Sequence, residues 1–330
     1  MEDIQPDTDE DSLHNHVSTV MCLRVVTYMD HTDRIILTEL SRNCRVSYEA
    51  LSRALGITAN SVKRRIRNLV EDGTIAGFAL RLSYEMVDAE PMLALAQVTT
   101  TNNIEKLIDK IGSHPFVSRV GFDSHNYLVI WVEYVGVEGL AEISTFLRSI
   151  EGVGDVELNP LTPEHRGKKM TFSVTQMRVI HALLDDPRKS VSVLAKEVGM
   201  TPKRTRKIIS ELQESDALWF TIEFNPNVGS DTRFVIRLTW DEKRISSTEI
   251  EKWFTEHYPN EYWNSLVCAS HPRMFAVFTS DHIRLADEIA RSLSALPSVK
   301  YLLTAVPFPA KLFDNIRDIR LREMIASSLS

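Results

Sequence analysis

Hydrophobic residues recur at helical spacing in the segment that follows residue 30. The pattern predicts a helix over Asp33–Asn43 and a short helix over Tyr48–Leu55, and Gly56 ends the short helix as a C-terminal glycine commonly does. Thr58 is typical of an N-cap and begins a third helix. The predicted buried stripe of that helix consists of Val62, Ile66, Leu69 and Val70.

The residues after the third helix predict a wing. Asp72-Gly73 marks a turn, and Ile75–Tyr84 alternates loosely between apolar and polar positions, which predicts two wing strands. A bracing helix, a tight turn, a second helix and a wing are together typical of a winged helix-turn-helix.

A second pattern follows in the order β-α-β-β-α-β, which is the order of the ferredoxin-like fold. The strands are predicted at Met92–Thr100, Val117–Asp123, Tyr127–Tyr134 and Asp155–Asn159, and the helices at Ile104–Ser113 and Glu138–Ile150. This half of the unit is expected to form a sheet with helices on one face.

The chain then matches itself at a shift of 143 residues. The matched helix-turn-helix positions are Leu51, Leu55, Gly56 and Thr58, which correspond to Leu194, Val198, Gly199 and Thr201. A repeat of this length indicates domain duplication, because solenoid repeats are far shorter. The predicted fold class is therefore α+β, with two winged helix-turn-helix domains alternating with two ferredoxin-like βαββαβ domains.

The second unit is predicted to repeat the plan of the first. Its helices are expected at 173–185, 190–198, 202–215, 247–257 and 284–296, and its strands at 219–224, 232–240, 262–269, 273–280 and 300–306. The expected boundaries are 1–30 for an acidic tail and lead-in segment, 31–88, 89–162, a linker at 163–170, 171–229, 230–310, and 311–330 for a C-terminal helix.

The charged residues are unevenly distributed along the chain. A formal net charge of -7 is unusual for a nucleic-acid binder. The first 12 residues, however, carry six acidic side chains and no Lys or Arg, which is typical of a solvated tail. Residues 31–82 hold nine Lys or Arg against five Asp or Glu. The local balance therefore favours an anionic partner for the first helix-turn-helix.

Cysteine usage and hydropathy indicate a cytoplasmic protein. Cys22, Cys44 and Cys268 are few and widely spaced and form no CxxC pair, so neither a disulfide framework nor a zinc site is predicted. The acidic N-terminus lacks the features of a signal peptide, and no apolar run approaches the roughly 18 residues of a membrane span. No cofactor is predicted either, since there is no glycine-rich phosphate loop.

The third helix carries the candidate DNA-reading chemistry. If Val62, Ile66 and Leu69 face inward, Asn60 and Arg64 project outward with Arg67 on the same side. Arg and Asn side chains match the edges of guanine and adenine, whereas other basic groups more often contact phosphate. The predicted DNA-binding residues are Asn60, Ser61, Lys63, Arg64, Arg65 and Arg67.

The second copy has a similar basic surface with fewer base-reading side chains. Thr201 is its predicted N-cap, and Pro202 stands at the first helical position. Its predicted DNA-binding residues are Lys203, Arg204, Arg206 and Lys207. Because the surface has no Asn or Gln, more backbone contact and less base reading are expected here than in the first copy.

The first unit resembles the leucine-responsive and asparagine-activator (Lrp/AsnC) regulators. The residues that carry this likeness are Asp33-Arg-Ile-Ile-Leu, Asn43-Cys-Arg-Val-Ser47, Leu55-Gly-Ile-Thr58, Val62-Lys-Arg-Arg-Ile66 and Gly73-Thr-Ile-Ala-Gly-Phe78. The resemblance implies a cytoplasmic, prokaryotic-type transcriptional regulator that binds double-stranded DNA. It also implies that the βαββαβ modules are of the regulation-of-amino-acid-metabolism type, which dimerise and often bind an amino-acid effector.

Effector residues are not carried over from the family. Its Gly-x-Tyr-Asp pattern between the two middle strands is replaced here by Asp123-Ser-His-Asn-Tyr127 and, in the second module, by Ser270-His-Pro-Arg-Met274. The effector therefore stays unknown, and an amino acid is disfavoured. Because one chain holds two units, its modules are expected to pair as an intrachain pseudo-dimer, and further pairing into a homodimer stays open.

Two alternative functions remain. Siroheme decarboxylases resemble the same architecture and can be built of two such units, although the Lys63-Arg-Arg-Ile-Arg67 helix is not expected of them. The other alternative is an interaction protein that docks on the transcription machinery. Three smaller features have a plain structural explanation. The pair His14 and His16 is explained by a polar tail, with a metal site as the functional alternative, and His125 and His271 are explained by turns, with the lining of an effector pocket as the alternative. The cluster of Trp253, Tyr258, Tyr262 and Trp263 is explained by core or interface packing.

Overall fold

The computed structural model describes residues 30–99, 103–225, 232–280 and 282–330. The acidic tail expected at 1–30, the His14/His16 pair and Cys22 lie outside these residues, except for Asp30. None of the helices within the described ranges is both long and apolar enough to cross a bilayer.

Three helices form the first helix-turn-helix: α1 (His31–Arg42), α2 (Tyr48–Leu55) and α3 (Ala59–Glu71). Side chains hold the helix starts. The Asp30 side chain accepts a hydrogen bond from the Asp33 backbone N–H, and the Asp33 side chain accepts one from the Asp30 backbone N–H. The Ser47 side chain caps α2. Gly56 ends α2 with a φ of 68°, a left-handed conformation that glycine adopts without steric cost.

The first βαββαβ module follows a short 3₁₀ turn at Tyr84–Val87. Its elements are β2 (Ala89–Val98), α4 (Ile104–Gly112), β3 (Val117–Phe122), β4 (Tyr127–Val135), α5 (Gly136–Ser149) and β5 (Val153–Pro160). The antiparallel strand order β3-β4-β2-β5 is that of a ferredoxin-like sheet. Helices α4 and α5 cover one face of this sheet and bury its apolar positions.

The second unit repeats this plan. Its helix-turn-helix consists of α6 (Val174–Leu183), α7 (Val191–Glu197), α8 (Pro202–Glu214) and the strand β6 (Leu218–Phe224). Its module consists of β7 (Thr232–Trp240), α9 (Ser247–His257), β8 (Tyr262–Val267), β9 (Arg273–Ser280), α10 (Arg284–Ser294) and β10 (Val299–Ala305), in the order β10-β7-β9-β8. The predicted fold class, two winged helix-turn-helix domains alternating with two ferredoxin-like domains, is confirmed.

The wing differs from the sequence prediction. The segment Ile75–Tyr84 does not fold into two strands; it contains a single strand, β1 (Ile75–Leu82), and that strand pairs antiparallel with β6 of the second unit. The register runs from Ile75 opposite Phe224 to Leu82 opposite Leu218. The segment contains no turn that would reverse it, so its backbone groups are satisfied by the other unit instead.

The pairing of β1 with β6 joins the two helix-turn-helix domains into one core. Buried apolar residues from both domains form a single cluster, with Ile36 and Leu37 from the first domain and Ile180 and Leu183 from the second. Further hydrogen bonds cross the junction, including one from the Cys44 N–H to the Phe220 carbonyl at 2.7 Å. The two helix-turn-helix domains are therefore packed together as one body.

The two βαββαβ sheets pack face to face through the sides that their helices leave uncovered. Leu93 and Leu95 of the first sheet form a buried cluster with Phe275 of the second. At both margins, single bridges connect the modules, Asp123 to Pro307 and Leu161 to Cys268. The two modules thus pair within the chain, as predicted from the internal repeat.

The C-terminal segment 311–330 contains the helix that the sequence predicts and, before it, a short strand that was not predicted. Lys311–Leu312 forms this strand, β11, that adds to the edge of β3, and the helix α11 runs from Ile316 to Leu329. The Asn315 side chain caps this helix. α11 packs on α6 and β1, and two of its residues, Leu321 and Ile325, enter the core that the two helix-turn-helix domains share.

A buried ion pair holds α11 against the first module. Arg317 donates to both carboxylate oxygens of Glu133 at 2.6 and 2.5 Å and to the Leu82 carbonyl at 3.1 Å. Both side chains are almost completely buried. Buried charges require such complete pairing, because desolvation of either ion alone is costly.

Removal of one partner of this pair should be strongly destabilising. We expect Arg317→Met to lower the free energy of unfolding by about 3–5 kcal/mol, because Glu133 is left as an uncompensated buried carboxylate. Urea unfolding monitored by circular dichroism measures the change. Arg320→Met on the same helix is the control, since its exposed pair with Glu323 should contribute no more than about 1 kcal/mol. A loss as small as that of the control would contradict the assigned role.

Candidate nucleic-acid interface

The third helix presents a polar, basic face because its apolar stripe is anchored in the core. Val62, Ile66 and Leu69 are buried, and Val70, predicted to belong to the same stripe, is 42% exposed. Thr58 caps the helix by accepting a hydrogen bond from the Ser61 N–H at 3.1 Å. The cap that holds the first turn of α3 therefore lies two residues after the glycine that ends α2.

Four of the predicted DNA-binding residues on α3 are exposed: Asn60, Lys63, Arg64 and Arg67. Arg67 lies 3.7 Å from Glu71, but both side chains are about two-thirds exposed, so this pair holds the guanidinium only weakly. Ser61 is half-buried at the start of the helix and accepts a hydrogen bond from the Thr58 hydroxyl at 3.0 Å. The exposed residues form the face opposite the buried stripe.

Arg65 has different surroundings. Its guanidinium lies 2.8 Å from a carboxylate oxygen of Asp30 and 2.9 Å from one of Asp33, so it ties α3 to the start of α1. Burial raises the pKa of Asp33 above its ordinary value. For Asp30, burial also acts to raise the pKa, but the Asp33 backbone N–H and the Arg65 charge outweigh it, so that pKa is lowered. The structure thus gives Arg65 intramolecular partners that the sequence did not reveal.

The predicted residues of the second helix are all exposed: Lys203, Arg204, Arg206 and Lys207. Thr201 caps α8 and Pro202 begins it, as predicted. Lys207 lies 3.7 Å from Glu211. With Glu211 and Glu214 on the same helix, the charge of this surface is more nearly balanced than that of α3.

Two arginines at matched positions of the repeat hold the two domains together differently. Arg45, in the loop before α2, donates to the carbonyls of Pro187 and Lys189 in the corresponding loop of the second domain. Arg188 instead lies over the rings of Tyr48 and Phe78, with its guanidinium carbon 5.0 and 5.1 Å from the ring centroids. These cross-contacts fix the orientation of α3 relative to α8.

A cavity of about 300 Å³ lies between the two module sheets and reaches the helix-turn-helix body. Leu37 of α1 and Phe224 of β6 contribute to its wall on that side. Its charged lining residues are Arg119, Asp123, Arg233 and Arg237. This site was not predicted from the sequence. Arg233 and Arg237 were a signal, since they lie on the same face of a predicted buried strand and charged residues on an inward face require partners.

The histidines and aromatic residues noted in the sequence are distributed between turns, core and cavity. His125 and His271 lie in strand-connecting turns, where their rings contact Ser124 and Ser270, and neither ring lines the cavity. Trp253, Tyr258 and Tyr262 pack against the core of the second module. Trp263 lies on the opposite face of its sheet and packs against Phe224 at the cavity wall.

Comparison with known proteins supports the architecture and the family. A winged helix-turn-helix DNA-binding family model matches residues 29–76 and 173–217. The fold is also similar to that of the siroheme decarboxylase NirDL in co-complex with an iron-uroporphyrin III analogue. That likeness covers 91% of this chain and 100% of NirDL, with a TM-score of 0.53 and 14% sequence identity, and it shows a shared fold.

Curated relatives are regulators about one unit long. The HTH-type transcriptional regulator LrpA of Pyrococcus horikoshii is 27% identical over 39% of this chain and 92% of its own length. An HTH-type transcriptional regulator of Pyrococcus furiosus is 38% identical over 38% of this chain and 87% of its own length. The chain belongs to the Lrp/AsnC family of HTH-type transcriptional regulators.

Proposed function

We propose that this regulator reads DNA sequence with α3 and uses α8 mainly to hold the DNA backbone. The observation that carries the proposal is the exposed face of Asn60, Lys63 and Arg64 on a helix whose opposite side is anchored in the core. A helix presented in this way fits the major groove. Arg64 is the best candidate for a guanine contact and Asn60 for an adenine contact, while Lys63 suits phosphate.

The junction between the two domains supports an asymmetric target. Because β1 pairs with β6 and Arg45 crosses to the second domain, the two recognition helices have one fixed separation and orientation. A symmetric dimer presents two identical helices to a palindrome. Here α3 offers base-reading side chains and α8 offers Lys203, Arg204, Arg206 and Lys207. We therefore infer one sequence-specific half-site with a more permissive neighbour.

The similarity of the fold to NirDL leaves one alternative function open, that of a siroheme decarboxylase. A decarboxylase must return a proton to the carbon that loses its carboxylate, and this requires a general acid near the substrate. Among the described lining residues the one acidic group is Asp123, which is ion-paired with Arg237, and none of these residues is a histidine. This lining favours binding over catalysis, so we propose that the protein is not an enzyme.

Replacement of Arg64 should test the reading role of α3. We expect Arg64→Ala to cost about 1–3 kcal/mol of binding free energy at the preferred sequence and to relax specificity at one position. Selection of bound sequences from random DNA, followed by fluorescence anisotropy, measures both effects. Arg291→Ala is the matched control, because Arg291 is an exposed helical arginine in the second module with a carboxylate partner of its own.

The same selection from random DNA distinguishes the role of α3 from that of α8. Neutralisation of Lys203 and Lys207 should weaken binding evenly across sequences and reduce the salt dependence of the affinity, whereas the triple Ala variant of Asn60, Arg64 and Arg67 should lose the selected motif. Normal DNA binding by the triple variant would refute the role of α3. Weak, salt-insensitive binding by the unmodified protein would favour the interaction-protein alternative.

Arg65 should behave as a structural residue. We expect Arg65→Ala to lower the free energy of unfolding by about 1–3 kcal/mol, because the buried Asp33 carboxylate loses its charged donor and keeps only the Asp30 backbone N–H. Its effect on DNA affinity should be uniform across sequences. Without Arg65 the folded-state pKa of Asp33 rises further, so the folded variant binds a proton more readily than the unfolded chain. The deficit should therefore shrink as the pH falls from 7 towards 5, and urea unfolding at both pH values measures it. A change in the selected motif would instead assign Arg65 to base reading.

Siroheme provides the test of the enzymatic alternative. After anaerobic incubation with siroheme, the pigment recovered from the protein should be unchanged by mass spectrometry, because Asp123, the acid among the described lining residues, is already ion-paired with Arg237. A decarboxylated product, formed by the unmodified protein and not by a heat-inactivated sample, would establish the enzyme reading instead.

A further inference from the structure

The cavity between the sheets combines apolar walls with buried positive charge. Leu93 and Leu95 of β2 and Val235 of β7 face each other across it. Its volume of about 300 Å³ stands at the lower end of the range of roughly 300–1,000 Å³ for small-molecule sites. A molecule of one or two rings therefore fits this space better than a large macrocycle.

Aromatic side chains give the cavity flat surfaces. The rings come from both modules and from the segment after β10: Trp131, Trp263, Phe122, Phe275 and Phe308. Aromatic rings bind other flat apolar groups by offset or edge contacts. The walls are therefore suited to a planar, apolar ligand body.

Arg119 supplies a positive charge that has no ion-pair partner among the described residues. Its guanidinium carbon lies 5.9 Å from the centroid of the Trp131 ring, and within the described part of the chain it has no ion pair or side-chain hydrogen bond. The acids whose charges act on it, Glu223 and Glu133, are ion-paired with Arg81 and Arg317 instead. Burial lowers the pKa of Arg119 to about 10, with the Arg81 charge acting in the same direction, and the group still remains protonated at neutral pH.

A desolvated guanidinium without an ion-pair partner lowers the stability of the protein unless a ligand anion pairs with it. Desolvation penalises a buried ion strongly, and an anion at hydrogen-bonding distance offsets that penalty. A guanidinium in particular matches a carboxylate in bidentate geometry. Arg233 also lines the cavity, where its guanidinium carbon lies 4.1 Å from the Phe224 ring centroid.

The remaining charged groups disfavour a zwitterionic ligand. Asp123 forms a buried ion pair with Arg237 and also accepts hydrogen bonds from the backbone N–H groups of His125 and Tyr127 at 2.9 and 3.1 Å. This carboxylate has little capacity left for a ligand ammonium, and the surrounding arginines repel one. A free amino acid is therefore a poor match for the site.

We propose that this cavity is a binding site for a small planar aromatic carboxylate, whose ring lies between the sheets and whose carboxylate pairs with Arg119. The site lies outside the DNA-reading surface, and its occupancy is measurable without DNA. Success or failure of the binding test is therefore independent of the proposed function of α3.

Titration with 2-naphthoate tests the site. We expect calorimetry on the full chain to show one site per chain with a dissociation constant below about 1 mM. The neutral 2-naphthamide and the cationic 2-naphthylmethylammonium, which share the ring but lack the anion, should bind at least tenfold more weakly. Equal binding of all three would show only apolar partition and would overturn the proposal, as would no binding of 2-naphthoate up to that concentration.

Two variants locate the site. Arg119→Met should weaken 2-naphthoate binding at least tenfold while the ligand-free protein keeps or gains thermal stability, because a desolvated charge without an ion-pair partner has been removed. Leu95→Trp should block binding by filling the cavity and provides a second readout. Arg42→Met, at an exposed position on α1, is the control and should bind as the unmodified chain does. Unchanged affinity in both Arg119→Met and Leu95→Trp would place the ligand elsewhere and refute the proposal.

Discussion

The antiparallel ladder between β1 and β6 is the contact on which the rest of the molecule depends. A lone wing strand would expose a row of unpaired backbone groups, which is costly when buried and prone to association when exposed. Each domain supplies the partner strand that the other lacks. The ladder also brings Ile36 and Ile180 into one core and gives α11 its docking surface. Neither helix-turn-helix has a complete core of its own.

Features set by neighbouring residues were readable from the sequence. The caps at Ser47, Thr58 and Thr201 and the stop at Gly56 depend on side chains within a few positions, so helix starts and ends were predicted closely. The internal repeat likewise predicted both the fold class and the paired modules. The exposed face of α3 followed from helical periodicity alone.

Features set by distant residues were not readable. The partner of β1 stands about 140 positions away, and no local pattern distinguishes it from a second wing strand. Arg65 looked like any basic residue of a recognition helix until Asp30 and Asp33 were found beside it. The cavity arises only where two sheets meet, and the unusual character of Arg119 depends on how Glu133 and Glu223 are already engaged.

The covalent connection of the two units has a consequence for how the regulator responds to its own abundance. A regulator that must first assemble from separate subunits occupies its site with a steep dependence on concentration, since assembly and DNA binding are coupled. Here β1 and its partner β6 belong to the same chain. The two helix-turn-helix domains are therefore present in a fixed one-to-one ratio at any expression level. A substitution also changes one helix-turn-helix without changing the other, as at the equivalent repeat positions Cys44 and Pro187, so each copy is free to diverge.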